Sequence, residues 1–250
     1  MIDVLVVGAA GRMGSLVTTT VDRQDDMRTV ALVDPAFGSA AAAPRFAGLD
    51  AALAAAKPQV AVEFSLPASV FDNTLRLLAA GVPTVVGATG LDDEMTNRLA
   101  QSAAKHAVGL VVAPNFALGA VLLMRFARQA ARLFGRAEVV ELHHEGKIDA
   151  PSGTALHTAQ LMADEPGSAV VPGGHDGPSR GQDVQGVRIH SVRLPGLVAH
   201  QEVLFGGEGE LLTLRHDCTS LECFMAGVLL AVRRVGSLKD TVVGLENILD

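Results

Sequence analysis

The first 34 residues run from an apolar strand through a glycine-rich turn and a helix into a second strand that stops at an acid, and few folds accept that order. Ile2-Asp-Val-Leu-Val-Val7 is short and almost continuously apolar, as expected of a parallel strand buried on both faces. It enters Gly8-Ala-Ala-Gly-Arg-Met-Gly14, a helical pattern follows through Leu16, Val17 and Val21, and Thr29-Val-Ala-Leu-Val33 reads as the next strand, ending at Asp34. In a βαβ unit such glycines let backbone approach a pyrophosphate at a helix N-terminus, and the carboxylate accepts hydrogen bonds from a ribose. The spacing is G-x-x-G-x-x-G, not the commoner G-x-G-x-x-G, so the turn alone is a weak signal. The strand before it and Asp34, about 20 residues beyond Gly14, give it weight. Arg12 reads equally as a phosphate contact or as a solvated residue at the helix start.

The rhythm continues. Strands are expected at Val60–Phe64, Thr84–Ala88 and Gly109–Ala113, with helices at Val70–Ala80 and Asp92–His106 between them. This alternation predicts an α/β fold with a Rossmann-like, doubly wound parallel sheet. The strands end in Phe64-Ser-Leu-Pro67, Gly87-Ala-Thr-Gly90 and Ala113-Pro-Asn-Phe116, at the edge where open α/β sheets bind ligands.

The pattern changes after residue 117. A long helix is expected over Leu118–Phe134, with Arg125, Arg128 and Arg132 as a solvated or interface face. Strands follow at Ala137–Leu142, Val187–Leu194, Val198–Phe205 and Glu210–His216, with only one helix among them. Residues 1–117 are therefore expected to form a dinucleotide-binding domain and residues 118–220 an α+β substrate domain of antiparallel or mixed strands. A final helix over Thr219–Val235 suits a C-terminal segment, 221–250, that returns to the first domain. Residues 164–186, rich in Gly, Pro, Ser and Asp, read either as a mobile loop over an active site or as a passive surface loop.

A formal charge of −7 argues against a nucleic-acid partner, which needs a basic face. No apolar run approaches the roughly 20 residues that span a bilayer, and the N-terminus enters a strand with no basic leader. Cys218 and Cys223 are read as buried free thiols of a cytoplasmic protein.

The chemistry concentrates in Glu141-Leu-His-His-Glu-Gly-Lys-Ile-Asp-Ala-Pro-Ser-Gly-Thr154, at the end of one strand and the start of a helix. Ser152 suits an N-cap, and the amides of Gly153 and Thr154 would then form an anion site beside Lys147 and one histidine. Neighbouring strand residues face opposite sides, so only one of His143 and His144 is expected to face a cleft. Adjacent histidines without a cysteine or carboxylate cluster do not suit a metal, and none is expected. His106, His157, His175, His190, His200 and His216 stand alone and read as structural or solvated.

This stretch resembles the signature of the 4-hydroxy-tetrahydrodipicolinate reductase (dihydrodipicolinate reductase) family of bacterial lysine and diaminopimelate synthesis. The resemblance extends to Gly8–Gly14, Gly87–Gly90, Ala113–Gly119 and Val192–Phe205, the last most like the actinobacterial branch. It implies a homotetramer whose second domain supplies the tetramer-forming sheet. The implied reaction is hydride transfer from NADH or NADPH to ring C4 of a cyclic imine dicarboxylate. By position, His143 matches the proton donor/acceptor and Lys147 a second proton donor. His144, Gly153 and Thr154 match contacts to the substrate carboxylates, and Ser152 is placed with them. Gly8, Ala9, Ala10, Gly11, Arg12, Met13, Asp34, Gly87, Ala88, Thr89, Ala113, Pro114, Asn115 and Phe116 match cofactor contacts.

Three departures stand out. Gly146 replaces a histidine that many members carry, Glu145 adds a negative charge that is expected to point away, and Ala88 replaces a common threonine. Pro35 stands where a grip on a 2′-phosphate often has Arg or Lys, which favours NADH on electrostatic grounds. Two other readings are a non-catalytic NAD(P)-sensing regulator and a related dehydrogenase of another small carboxylate.

Overall fold

The computed structural model describes residues 1–38, 44–171, 173–174, 177 and 179–249, and the chain divides into two compact units, 1–116 with 224–250, and 117–223.

The first unit is built on β1 (Ile2–Val7), α1 (Arg12–Val21), β2 (Met27–Val33), β3 (Arg45–Phe46), α2 (Leu49–Ala55), β4 (Val60–Glu63), α3 (Val70–Ala79), β5 (Thr84–Val86), α4 (Asp93–His106) and β6 (Leu110–Val112). Its strands pair in parallel throughout, in the order β12-β6-β5-β4-β1-β2-β3, where β12 (Thr241–Val243) arrives from the C-terminal segment. Val4, Leu5 and Val6 of the central strand are fully buried, which explains the absence of apolar–polar alternation there. Leu5 and Val7 pack towards Leu49, Ala52 and Leu77 of α2 and α3. The opposite side of β1 meets α1, which packs on α7 (Met225–Val235), and α7 in turn lies on β4, β5 and β6. Helices thus cover both faces of the sheet. The first-unit elements read from periodicity all form, within a residue or two at their ends. The short β3, α2 and β12 were not expected.

The second unit carries α5 (Leu118–Ala131), β7 (Arg136–His143), α6 (Gly153–Ala163), β8 (Gln182–Val184), β9 (Val187–Arg193), β10 (Ala199–Gly207) and β11 (Glu210–Cys218). Its sheet order is β11-β10-β7-β9-β8; β7 and β9 are parallel and the other pairs antiparallel. The β7–α6–β9 crossover is therefore one βαβ unit inside an otherwise meandering sheet. Helices α5 and α6 pack one face through Leu123, Ala127, Ala159 and Met162 against Val139, Ile189, Val203 and Phe205.

Several expectations need correcting. Cys218 and Cys223 are joined in a disulfide and are not free thiols. Only five residues apart, they are brought together by the turn that follows β11. The final helix begins at Met225, preceded by a 3₁₀ turn over Leu221–Phe224. Arg128 and Arg132 are not a bare solvated face, because both reach Glu165. The 164–186 stretch, expected as a loop throughout, ends in a strand over residues 182–184, and in its described parts Ala169 N–H donates to Ala131 O and Val171 N–H to Gly135 O. The rest of that expectation, with His175, falls on residues outside the described ones. His190 and His200 do not stand alone; they pair with Glu138 and Asp217 at 2.7 Å each.

Candidate functional site

In the first unit the chemistry collects where the strand order reverses, between β1 and β4. Gly8 has φ +77°, and a Cβ there would lie 2.5 Å from Phe64 O, so a side chain would collide with the loop after β4. A Cβ on Gly14 would lie 2.1 Å from Gly8 O; its absence lets α1 sit directly on the turn. Gly11 takes the N-cap position of α1 and no side chain caps the helix, which leaves its first amides directed at the turn. Asp34 fastens the turn from the other side, with Oδ2 accepting from Ala10 N at 3.0 Å and Oδ1 from Ala36 N at 2.9 Å. A cleft of about 560 Å³ opens here, bounded by Gly8, Gly11, Asp34 and Pro35 on one bank and by Phe64, Ser65, Asn73 and Arg76 on the other.

The other residues singled out in this unit are not among those that line this cleft. Gly87 is squeezed between two rings: its Cβ would stand 2.3 Å from Phe64 Cζ and 2.9 Å from Phe116 Cε2. Ala88 is partly buried against the α3–α4 core, while Thr89 and Pro114 are exposed and Asn115 is partly buried. Ala9, Ala113 and Phe116 are buried, Arg12 is exposed and Met13 is half-buried.

A residue that periodicity missed is Glu63, the last of β4. It is fully buried; Oε1 accepts from Ser65 N at 2.6 Å, while Oε2 has no hydrogen-bond partner among the described residues. Burial pushes its carboxyl above the ordinary range, against the pull of hydrogen bonds from Ser65 and Asn73. An acid inside an otherwise apolar strand was the available signal.

In the second unit β7 ends in alternating side chains. Glu141 is fully buried, His143 follows on the same face, and His144 is exposed just past the strand end. Glu141 Oε2 lies 2.5 Å from His143 Nδ1. The same carboxylate receives Arg193 Nη1 at 2.9 Å and Nη2 at 2.8 Å, and Ser152 N–H at 3.2 Å. Although burial opposes ionisation, the hydrogen bonds from His143, Arg193 and Ser191 hold the Glu141 carboxyl at about 2.

Beyond the strand the chain turns, with Lys147 N–H donating to His144 O. It passes a cis Ala150–Pro151 bond and enters α6. The Ser152 hydroxyl accepts from Ala155 N at 3.2 Å and is buried, so it serves as the cap of α6. Gly153 is exposed and Thr154 half-buried at the first turn. Lys147 Nζ lies 2.7 Å from Asp149 Oδ1, and the Asp149 carboxylate, held below its ordinary range first by Lys147, also takes a hydrogen bond from the Gly153 amide. A carboxylate thus already bridges the lysine and the helix N-terminus. Glu145 is exposed, and a Cβ on Gly146 would come 3.3 Å from His144 Nδ1, so a larger residue there would crowd that ring. Among the described residues no group of three His, Cys, Asp or Glu side chains is placed to hold a metal.

Comparison with known proteins agrees with this geometry. Residues 2–116 match the family model described as dihydrodipicolinate reductase, N-terminus, and residues 119–249 match dihydrodipicolinate reductase, C-terminus. The chain belongs to the dihydrodipicolinate reductase family. It is 47% identical to a 4-hydroxy-tetrahydrodipicolinate reductase of Moorella thermoacetica, with 100% of this chain and 98% of that protein aligned. A protein of the same name from Enterococcus faecalis is 43% identical over 100% of both chains. Among solved structures, the dipicolinate-bound dihydrodipicolinate reductase of Paenisporosarcina sp. TG-14 superposes with a TM-score of 0.89, at 40% identity and 100% coverage of both chains. The fold is shared more widely: the NAD complex of GenD2, from gentamicin A biosynthesis, reaches a TM-score of 0.63 at 17% identity, covering 94% of this chain and 85% of that one. No helix among the described residues is long and apolar enough to cross a membrane.

Proposed function

We propose that the chain reduces 4-hydroxy-tetrahydrodipicolinate to tetrahydrodipicolinate with a nicotinamide cofactor, in diaminopimelate and lysine synthesis. The observation that carries this reading is the carboxylate of Asp149, which lies between Lys147 Nζ at 2.7 Å and the Gly153 amide. It supports a carboxylate site at the loop and the α6 N-terminus, for the group that a cyclic imine dicarboxylate carries twice. Family membership supports the same reading.

The first unit fits a dinucleotide, since the glycine turn is a cradle that a Cβ would fill and the α1 amides face it uncapped by any side chain. A reduced nicotinamide, when bound, supplies the hydride that ring C4 receives. In this proposal the amides and side chains over Gly8–Met13 hold the pyrophosphate, Asp34 holds the ribose, and Gly87–Thr89 with Ala113–Phe116 bound the nicotinamide end. Lys147, His144 and the Gly153 and Thr154 amides fix a substrate carboxylate, with Ser152 contributing through the cap that starts the helix. His143 or Lys147 delivers the proton, a contribution of about 10²–10⁴ in rate for general acid catalysis.

NADH is the favoured cofactor in this proposal, because the Asp34 carboxylate stands at the ribose edge of the cleft with Pro35 beside it in place of a cation. We also propose a homotetramer joined through the face of the second sheet that α5 and α6 leave uncovered, and a cytoplasmic enzyme. The test is to follow NADH and NADPH oxidation with the freshly condensed product of pyruvate and aspartate semialdehyde. Oxidation with Michaelis behaviour supports the reading, and its absence from well-folded protein refutes it.

A further inference from the structure

In the parallel pair of β7 and β9, Glu141 lies opposite Ser191 and His143 opposite Arg193. Residues two apart on a strand share a face, so these four side chains form a patch two rungs long. Within it a single carboxylate, fully buried, meets His143 through one oxygen and the Arg193 fork through both. The guanidinium then extends past the carboxylate to the motif loop: Nη2 donates to Asp149 O at 2.6 Å and Nε to Lys147 O at 3.3 Å. Both groups named as proton donors are therefore tethered to one ion pair, His143 through its ring and Lys147 through its backbone.

We propose that Glu141 and Arg193 are positioning residues for the reduction. Glu141 holds His143 through its Nδ1–H and leaves Nε2 for the reaction, where the doubly protonated ring gives up its Nε2 proton and is left as the neutral Nδ1–H tautomer, while Arg193 holds the Lys147–Asp149 loop through its carbonyls. The inference rests on the reductase reading above. The physical grounds are two. The partner on one ring nitrogen decides which nitrogen carries the proton in a neutral histidine. A buried carboxylate next to the ring also strengthens an imidazolium as it forms, and the Arg193 fork makes that buried charge tolerable. A merely structural ion pair would have no reason to share an oxygen with the histidine and spend two more donors on loop carbonyls.

The experiment combines ¹⁵N NMR of the histidine rings in the wild-type protein with steady-state kinetics of Glu141→Gln and Arg193→Lys. In the wild type the His143 Nδ1 resonance should be that of a protonated nitrogen from pH 6 to 8, and Glu141→Gln should shift population to the other tautomer. In both variants kcat should fall on the order of 10–100-fold, the loss expected of a displaced acid, with KM for NADH within about threefold. Glu141→Asp should recover part of kcat if it restores the Nδ1 signal. An unprotonated Nδ1 in the wild type overturns the proposal even if neither variant folds. So does a full kcat per folded molecule in Glu141→Gln. A wild-type enzyme that oxidises no cofactor with this substrate would instead refute the reductase reading, and the tautomer measurement would still decide the role of Glu141.

Discussion

Acidification should weaken this protein through Glu141 by an amount that the structure sets. The carboxyl is held at about 2, against an ordinary 4.5. A depressed native value means stability that is present above the ordinary pKa and is lost as pH falls through the native one. Each unit of difference is worth about 1.36 kcal/mol, so the gap contributes about 3 kcal/mol at neutral pH. The linkage relation keeps nearly all of that at pH 5 and leaves less than half at pH 3, with little remaining at pH 2. Other paired carboxyls, Asp217 and Glu138 among them, are lowered too and add their own slopes. The comparison must therefore be between wild type and Glu141→Gln, an uncharged side chain of the same shape. Urea unfolding followed by circular dichroism at intervals from pH 7 to pH 3 gives the two curves. The wild-type advantage should be largest near neutrality and should shrink by about 2 kcal/mol between pH 5 and pH 3. Parallel curves would mean that Glu141 titrates alike in the folded and unfolded chains, and the ion-pair account of the patch would be wrong.

Glu63 should behave in the opposite sense: its carboxyl is raised by burial, so the native state prefers it protonated and loses stability as pH rises. Glu63→Gln should raise the melting temperature at pH 8, with the gain fading below pH 5; a pH-independent effect would contradict this. Gly14→Ala places a Cβ 2.1 Å from Gly8 O and should weaken NADH binding, read by fluorescence titration, at least about tenfold while the second unit stays folded. Unchanged affinity would show that the turn does not hold the pyrophosphate. Asp34→Ala should raise the ratio of kcat/KM with NADPH to that with NADH by roughly tenfold, as expected when a carboxylate facing a 2′-phosphate is removed. An unchanged ratio would place the ribose elsewhere.

What the sequence revealed, and what it hid, follows from the range of the interactions. Val4 to Val7 announced a strand buried on both faces because burial on both faces removes alternation, a local property. The Ser152 cap was equally local, and its hydroxyl does accept from Ala155 N. By contrast, β3 is two residues long and β12 three, too short for any period to show, and α2 is an alanine-rich helix with little apolar contrast between its faces. The Glu141–Arg193 pair was invisible for another reason: the partners lie 52 residues apart and meet only because β9 returns parallel to β7 after a helix. The disulfide was misread because two cysteines five apart can close only if the turn after β11 brings them face to face, which spacing alone does not show. Alternation along β7 implied that one of His143 and His144 would face a cleft without saying which, and gave no sign of what His143 would lean on.

The Glu141–Thr154 motif is proposed to carry a carboxylate site with a proton donor serving a dinucleotide-dependent reduction. Its most direct test is the oxidation of NADH with freshly prepared 4-hydroxy-tetrahydrodipicolinate, measured in parallel for wild type and Lys147→Ala. The account predicts turnover by the wild type and a fall in kcat on the order of 10²–10⁴-fold in the variant, with NADH affinity kept. Equal loss of turnover and cofactor affinity, or full turnover without Lys147, would contradict it.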